Sequence, residues 1–134
     1  MRERIAHALL RVTDEESLRE ALKQEPDNVD AAISLTQTLL AQKRAGEALK
    51  VADKILLTAP GDLRALNAKG VVLDAEGRHD EAQALYRQAL AAAPGNQMLR
   101  NNLGLSLALA GKADSGNSSL QQLSHERRAL AEQP

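Results

Sequence analysis

The chain has 134 residues, enough for one domain with its own core and too few for two ordinary ones. A net charge of -1 gives no global field for nucleic acid or anionic lipid, and the absence of cysteine excludes disulfides, thiolate metal sites and a cysteine nucleophile. Hydrophobic residues make up 43% but aromatics only 1%, so the core is Leu and Ala, a composition for closely packed helices and not for a β-sandwich.

The opening stretch MRERIAHALLR is too broken by charge for a signal peptide, and no apolar run reaches the roughly 18 residues of a membrane-crossing helix. Thr13-Asp14-Glu15-Glu16 reads as a capping box, with Thr13 as N-cap, Glu16 returning to it and an acidic first turn that suits the helix dipole. Pro26 stops that helix and Asn28 caps the next. The same punctuation returns at Pro60 with Asp62 and at Pro94 with Asn96. Gly77 and Gly111 fall where a first helix must turn, and Gly70 and Gly104 lie inside first helices. An interior glycine costs about 1 kcal/mol relative to alanine, so a neighbouring helix is expected to pass close there, with Ala82 as the matching small residue. The run NNLGLSLALAG, Asn101 to Gly111, is thus a first helix closed by Gly111. In Asp114-Ser115-Gly116-Asn117-Ser118-Ser119, five of six residues compete with the backbone or add chain entropy, so the following helix is expected to start late or fray. Leu120, Leu123, Arg127 and Leu130 then return at helical spacing, as a terminal capping helix or a detachable segment.

Pro26, Pro60 and Pro94 are 34 residues apart, and the same step relates Leu22, Leu56 and Leu90, the caps Asn28, Asp62 and Asn96, Ala48 and Ala82, and Ile5, Leu39, Leu73 and Leu107. With Leu66-x2-Lys69-Gly70-x2-Leu73, Ala82-x3-Tyr86 and Pro94, then Leu103-Gly104-x2-Leu107, the chain resembles the tetratricopeptide repeat (TPR) family along nearly its whole length. Leu66 stands where the family usually has Trp and Lys69 where it usually has Leu. The resemblance implies an all-α fold, a right-handed superhelix of antiparallel helix pairs. Residues 1–28 are the end of one repeat, 29–62 and 63–96 are full repeats, and 97–134 are a degenerate repeat with a capping helix. Met1 falls mid-helix in this register, so a longer parent protein is expected.

Catalytic constellations are sparse. His7, His79 and His125 lie in three different repeats without an i,i+4 partner, and His79 reads as a solvated turn residue. Ser115, Ser118 and Ser119 have no strand–turn–helix elbow, and Gly-rich phosphate loops and zinc spacings are missing. Tyr86 is expected in the core with its hydroxyl reaching the edge. No enzyme activity, cofactor or metal follows.

The resemblance places first helices on a concave, ligand-facing side. Matched residue by residue, that side carries Asp30, Ile33, Gln37 and Leu40, then Arg64, Asn67, Val71 and Asp74, then Met98, Asn101, Leu105 and Ala108. Apolar residues there would take the anchors of a partner's peptide, and Asn67 and Asn101, one repeat apart, would bond its backbone. Members that clamp an acidic C-terminus place Lys and Asn, then Lys and Arg, where this chain has Ile33 and Gln37, then Asn101 and Leu105.

A narrower likeness covers LNAKGVVLDAEGRHDEAQALYRQALAAAPGNQMLRNNLGLSLALAGKAD, which resembles the TadD lipoproteins of the tight-adherence (Flp) pilus system. That resemblance implies a pilotin-like factor for secretin assembly, tethered by lipid at the periplasmic face of the outer membrane and binding a C-terminal secretin segment. The lipid-bearing cysteine and signal peptide are not in this sequence. A chaperone of the type III secretion class and a self-associating structural protein are the other readings.

Overall fold

The computed structural model describes residues 14–112, which are helices joined by short turns. In chain order these are α1 (Glu15–Gln24), α2 (Val29–Ala41), α3 (Ala45–Thr58), α4 (Leu63–Ala75) and α5 (His79–Ala92), followed by α6 over residues 97–112. Expectations that rest on His7, Thr13, the 114–119 run, Leu120, Leu123, His125, Arg127 and Leu130 lie outside the described residues.

The predicted caps account for where first helices begin. Asn28 Oδ1 accepts from the Ala31 N–H at 3.0 Å, Asp62 Oδ1 from those of Arg64 and Ala65 at 3.0 Å each, and Asn96 Oδ1 from that of Leu99 at 3.1 Å. Second helices start differently. Arg44 and Arg78 occupy the N-cap positions of α3 and α5 without a capping bond, and each pairs with a glutamate of the first turn, Glu47 or Glu81. At the head of α1 the N-cap place falls to Asp14, whose side chain makes no capping bond. Glu15 instead anchors α1 to α3: Arg44 Nη1 and Nη2 reach its two carboxylate oxygens at 2.8 and 2.9 Å, and Arg19 donates from the next turn. These bonds, Arg44 first and Arg19 second, hold the Glu15 carboxyl below its usual range.

The turn from first to second helix passes through the left-handed region. Gly77 takes it with φ 77°, and in the preceding repeat the position belongs to Lys43, at φ 60°. Gly111 does not close its helix, because α6 is still helical at residue 112. A glycine permits the left-handed turn without imposing it.

Helices adjacent in the chain pack together, and α2 also packs beside α4, so α2, α4 and α6 form one layer and α1, α3 and α5 the other. Leu18, Ala31, Leu35, Leu39, Ala48 and Val72 form one core cluster, and Leu66, Leu73, Ala82, Tyr86, Ala89 and Leu99 the next. Leu39 and Leu73, the periodic leucines, are sealed, whereas Leu107 in the same register is exposed. The close approach at Gly70 is real, but its partner is Tyr86 and not Ala82. A Cβ on Gly70 would lie 2.7 Å from Cζ of the Tyr86 ring and nearer still to Cε1. One repeat earlier the two positions hold Thr36 and Ala52, both buried, so large and small exchange places across the pair. Gly104 has no atom within 4 Å of a built Cβ, and the residue in the Tyr86 register, Leu120, is outside the described part.

Candidate functional site

Side by side, α2 and α4 leave a trough on the face away from the second helices, extended by the first turn of α6. It is a cavity of about 330 Å³. Of the residues expected there, Asp30, Ile33, Gln37, Leu40, Arg64, Asn67, Val71 and Met98 line it. Ser34, Thr36 and Ala68 line it as well, unforeseen. Ser34 and Ala68 share one register position, so the 34-residue period contained the signal for both.

Four expected residues fall elsewhere. Leu105 and Ala108 are exposed farther along α6, past the cavity. Asn101 is exposed and accepts a hydrogen bond from Gln97 Nε2 at 2.8 Å. The carboxamide that meets Asn67 belongs to Asn102, whose Nδ2 donates to Asn67 Oδ1 at 2.7 Å. This bond ties α4 to α6 and leaves the Asn67 amide N–H groups without a partner in it.

Asp74 is the fourth, and its side chain is only 13% exposed because the fold uses it. Its Oδ1 accepts from Ser106 Oγ at 2.6 Å and faces His79 Nδ1 at 2.8 Å, while Oδ2 accepts from the Tyr86 hydroxyl at 3.0 Å. His79 is therefore a half-buried member of this cluster and not a solvated turn residue. The Tyr86 hydroxyl ends on a carboxylate and not at the molecule's edge. Burial, then the bond to Asp74, then its charge, push the Tyr86 ionisation far above the usual phenol value.

Serine, histidine and aspartate thus meet at one point, but not in a catalytic order. A nucleophilic serine needs its hydroxyl on an imidazole nitrogen. Ser106 Oγ instead donates its hydrogen bond to the aspartate, and the residue is fully buried. The cluster pins the α4–α5 turn to α6. Among the described residues no group of three His, Asp or Glu could hold a metal ion, and no helix is long and apolar enough to cross a membrane.

The trough's charge cancels within itself. At its edge Arg64 Nη1 donates to Asp30 Oδ1, one repeat away on α2. The Thr36 hydroxyl is spent on the Ala32 carbonyl at 2.8 Å. What faces an occupant is therefore aliphatic surface from Ile33, Leu40, Val71 and Met98, with Gln37 and Asn67 as hydrogen-bonding groups.

A family model described as tetratricopeptide repeat matches residues 15–71, and a second of the same description matches residues 63–96. Over 86 residues the chain is 59% identical to the uncharacterized protein y4yS of Sinorhizobium fredii, a stretch covering 64% of this chain and 47% of that one. The chain therefore spans about half the length of that relative. Among solved structures, a MamA mutant aligns with TM-score 0.57 at 23% identity over 83% of this chain and 64% of its own. A MamA RS-1 double mutant aligns with TM-score 0.64 at 18% identity over 96% of this chain and 72% of its own. The Naa15/Naa10 structure bound to HypK aligns with TM-score 0.62 at 21% identity over 95% of this chain and 20% of its own. These solved structures share the fold.

Proposed function

The chain carries tetratricopeptide repeats over residues 15–96, and from that premise we propose that it is a noncatalytic scaffold holding a short aliphatic peptide segment of a partner protein in the α2–α4–α6 trough. One observation carries the reading. The trough is open, its walls are Ile33, Leu40, Val71 and Met98, and the only charged residues lining it among the described ones, Asp30 and Arg64, already neutralise each other. An occupant that buries two or three aliphatic side chains gains about 1.5–3 kcal/mol from each, less the cost of ordering the peptide, which leaves room for micromolar affinity. A charged tail gains no free counter-ion there, so a Glu-Glu-Val-Asp peptide is a poor ligand.

The client we favour is the C-terminal segment of a secretin, with the protein at the periplasmic face of the outer membrane. This narrower reading rests on the likeness of the Leu66–Asp114 stretch to TadD lipoproteins. A secretion chaperone of the type III class, or self-association, would use the same surface with a different occupant. The test is calorimetry with a synthetic peptide of the last twenty or so residues of the secretin from the same cells. Micromolar binding by the wild type and none by Val71→Arg, at unchanged helicity, is the expected result. Binding of unrelated aliphatic peptides but not the secretin peptide overturns the client and keeps the scaffold. Binding of neither overturns both.

A further inference from the structure

A second recess lies on the other face of α2, walled by α1 and α3, with a volume of about 240 Å³. Its floor is aliphatic: Leu22, Leu35, Val51 and Ile55. Around it stand Arg19 and Lys23 from α1 and Lys54 from α3, and among the described residues no carboxylate lines it.

The next repeat supplies an internal comparison. Stepping 34 residues on, Arg19 becomes Asp53, Leu35 becomes Lys69 and Lys54 becomes Gln88. There the charges cancel, with Lys69 Nζ on Asp53 Oδ1 at 2.8 Å. In the first repeat Lys23 and Lys54 have no ion-pair partner among the described residues, and Arg19 spends Nε and Nη2 on Glu15 and has Nη1 left over. Repeat architecture does not explain a cationic rim present in one repeat and self-neutralised in the next. A ligand does.

We propose that this recess is a second docking site, separate from the trough, for an acidic peptide segment of a partner protein. An aliphatic side chain of the segment enters between Leu22 and Ile55, and flanking Glu or Asp carboxylates meet Lys23, Lys54 and the free side of Arg19. The chain's own first 13 residues have the wrong sign for this role, with three arginines against one glutamate.

The test uses the full 134-residue chain, labelled with ¹⁵N. It is titrated with a capped hexapeptide of Leu and Glu, and separately with its counterpart in which every Glu is Gln. Dissociation constants on the order of 0.1–1 mM are expected for the acidic peptide, given the small area available. Amide shifts should centre on Leu22, Val51 and Ile55. Binding should weaken at least tenfold in the Lys23→Glu, Lys54→Glu double variant, and it should persist in Val71→Arg, which separates this site from the trough. The replaced lysines pair with no described residue, so the double variant should stay folded and lose only the small helix-dipole contribution of Lys23 in the last turn of α1. Equal affinity of the two peptides at the recess, read from the Leu22, Val51 and Ile55 amides, overturns the proposal, as do shifts by the acidic peptide centred on Ile33 and Val71. Binding to phosphatidylglycerol vesicles but not to the acidic peptide also overturns it, because the recess would then serve a lipid surface.

Discussion

Replacing Gly70 by alanine in the middle of α4 should destabilise the protein, against the usual trend for a helix interior. Propensity alone favours the change by about 1 kcal/mol. The added methyl, however, would sit 2.7 Å from Tyr86 Cζ, and the ring is 1% exposed and tied by its hydroxyl to Asp74. An aromatic ring held at both ends has no room to retreat, and overpacking of this kind costs about 1–3 kcal/mol. The two terms leave a net loss of roughly 0–2 kcal/mol. The cleaner quantity is the coupling with Tyr86→Leu, which removes the obstructing atoms. In that background Gly70→Ala should recover its propensity gain, so the double-mutant cycle should show an interaction of about 1–3 kcal/mol. Urea unfolding of the four proteins, followed by circular dichroism at 222 nm, measures it. A wild-type background stabilised by the full propensity gain, or additivity within about 0.3 kcal/mol, would show that the glycine is not there to admit the ring.

Three further expectations come from the same packing. Asp74→Ala strands three donors in a closed cluster and should cost about 3–5 kcal/mol, whereas Asp74→Asn keeps acceptor capacity and should cost less than half as much; equal losses in urea melts would deny the cluster its role as a pin. Lys43→Gly relieves a left-handed residue and should stabilise by about 0.5–1 kcal/mol, while a loss in the same assay would contradict the turn geometry. The Tyr86 ionisation is raised on folding, so its contribution to stability is complete below the free phenol value of 10.0 and is lost as pH climbs above it. Between pH 10 and 12 the wild type should therefore lose melting temperature faster than Tyr86→Phe, and parallel slopes would refute this.

Much of the fold was legible because its devices repeat. Prolines after second helices and Asn or Asp two residues on recur at a fixed step, and each cap is formed as read. Most of the residues that line the trough are ones matched through the family resemblance to ligand-facing positions. What escaped is what does not repeat. Asp74 sits where the neighbouring repeats have Leu40 and Ala108, so its register suggested a ligand-facing residue. Its partners His79, Tyr86 and Ser106 come from three different positions that no local pattern links. Likewise Asn101 shares the register of Asn67, yet the carboxamide that α6 brings to Asn67 is that of Asn102. Lys43 could have been found, because it lies one period before Gly77 and the chain must turn there whatever residue is present.

The account's central claim is that the trough between α2 and α4 takes aliphatic side chains. Methyl NMR of the full chain, titrated with a short leucine-rich uncharged peptide, tests it most directly. The account predicts that the methyl signals of Ile33, Leu40, Val71 and Met98 move together along one binding curve, while those of Leu22 and Ile55 stay still. Unmoved signals at those four residues at millimolar peptide, or movement confined to the opposite face of α2, would contradict it.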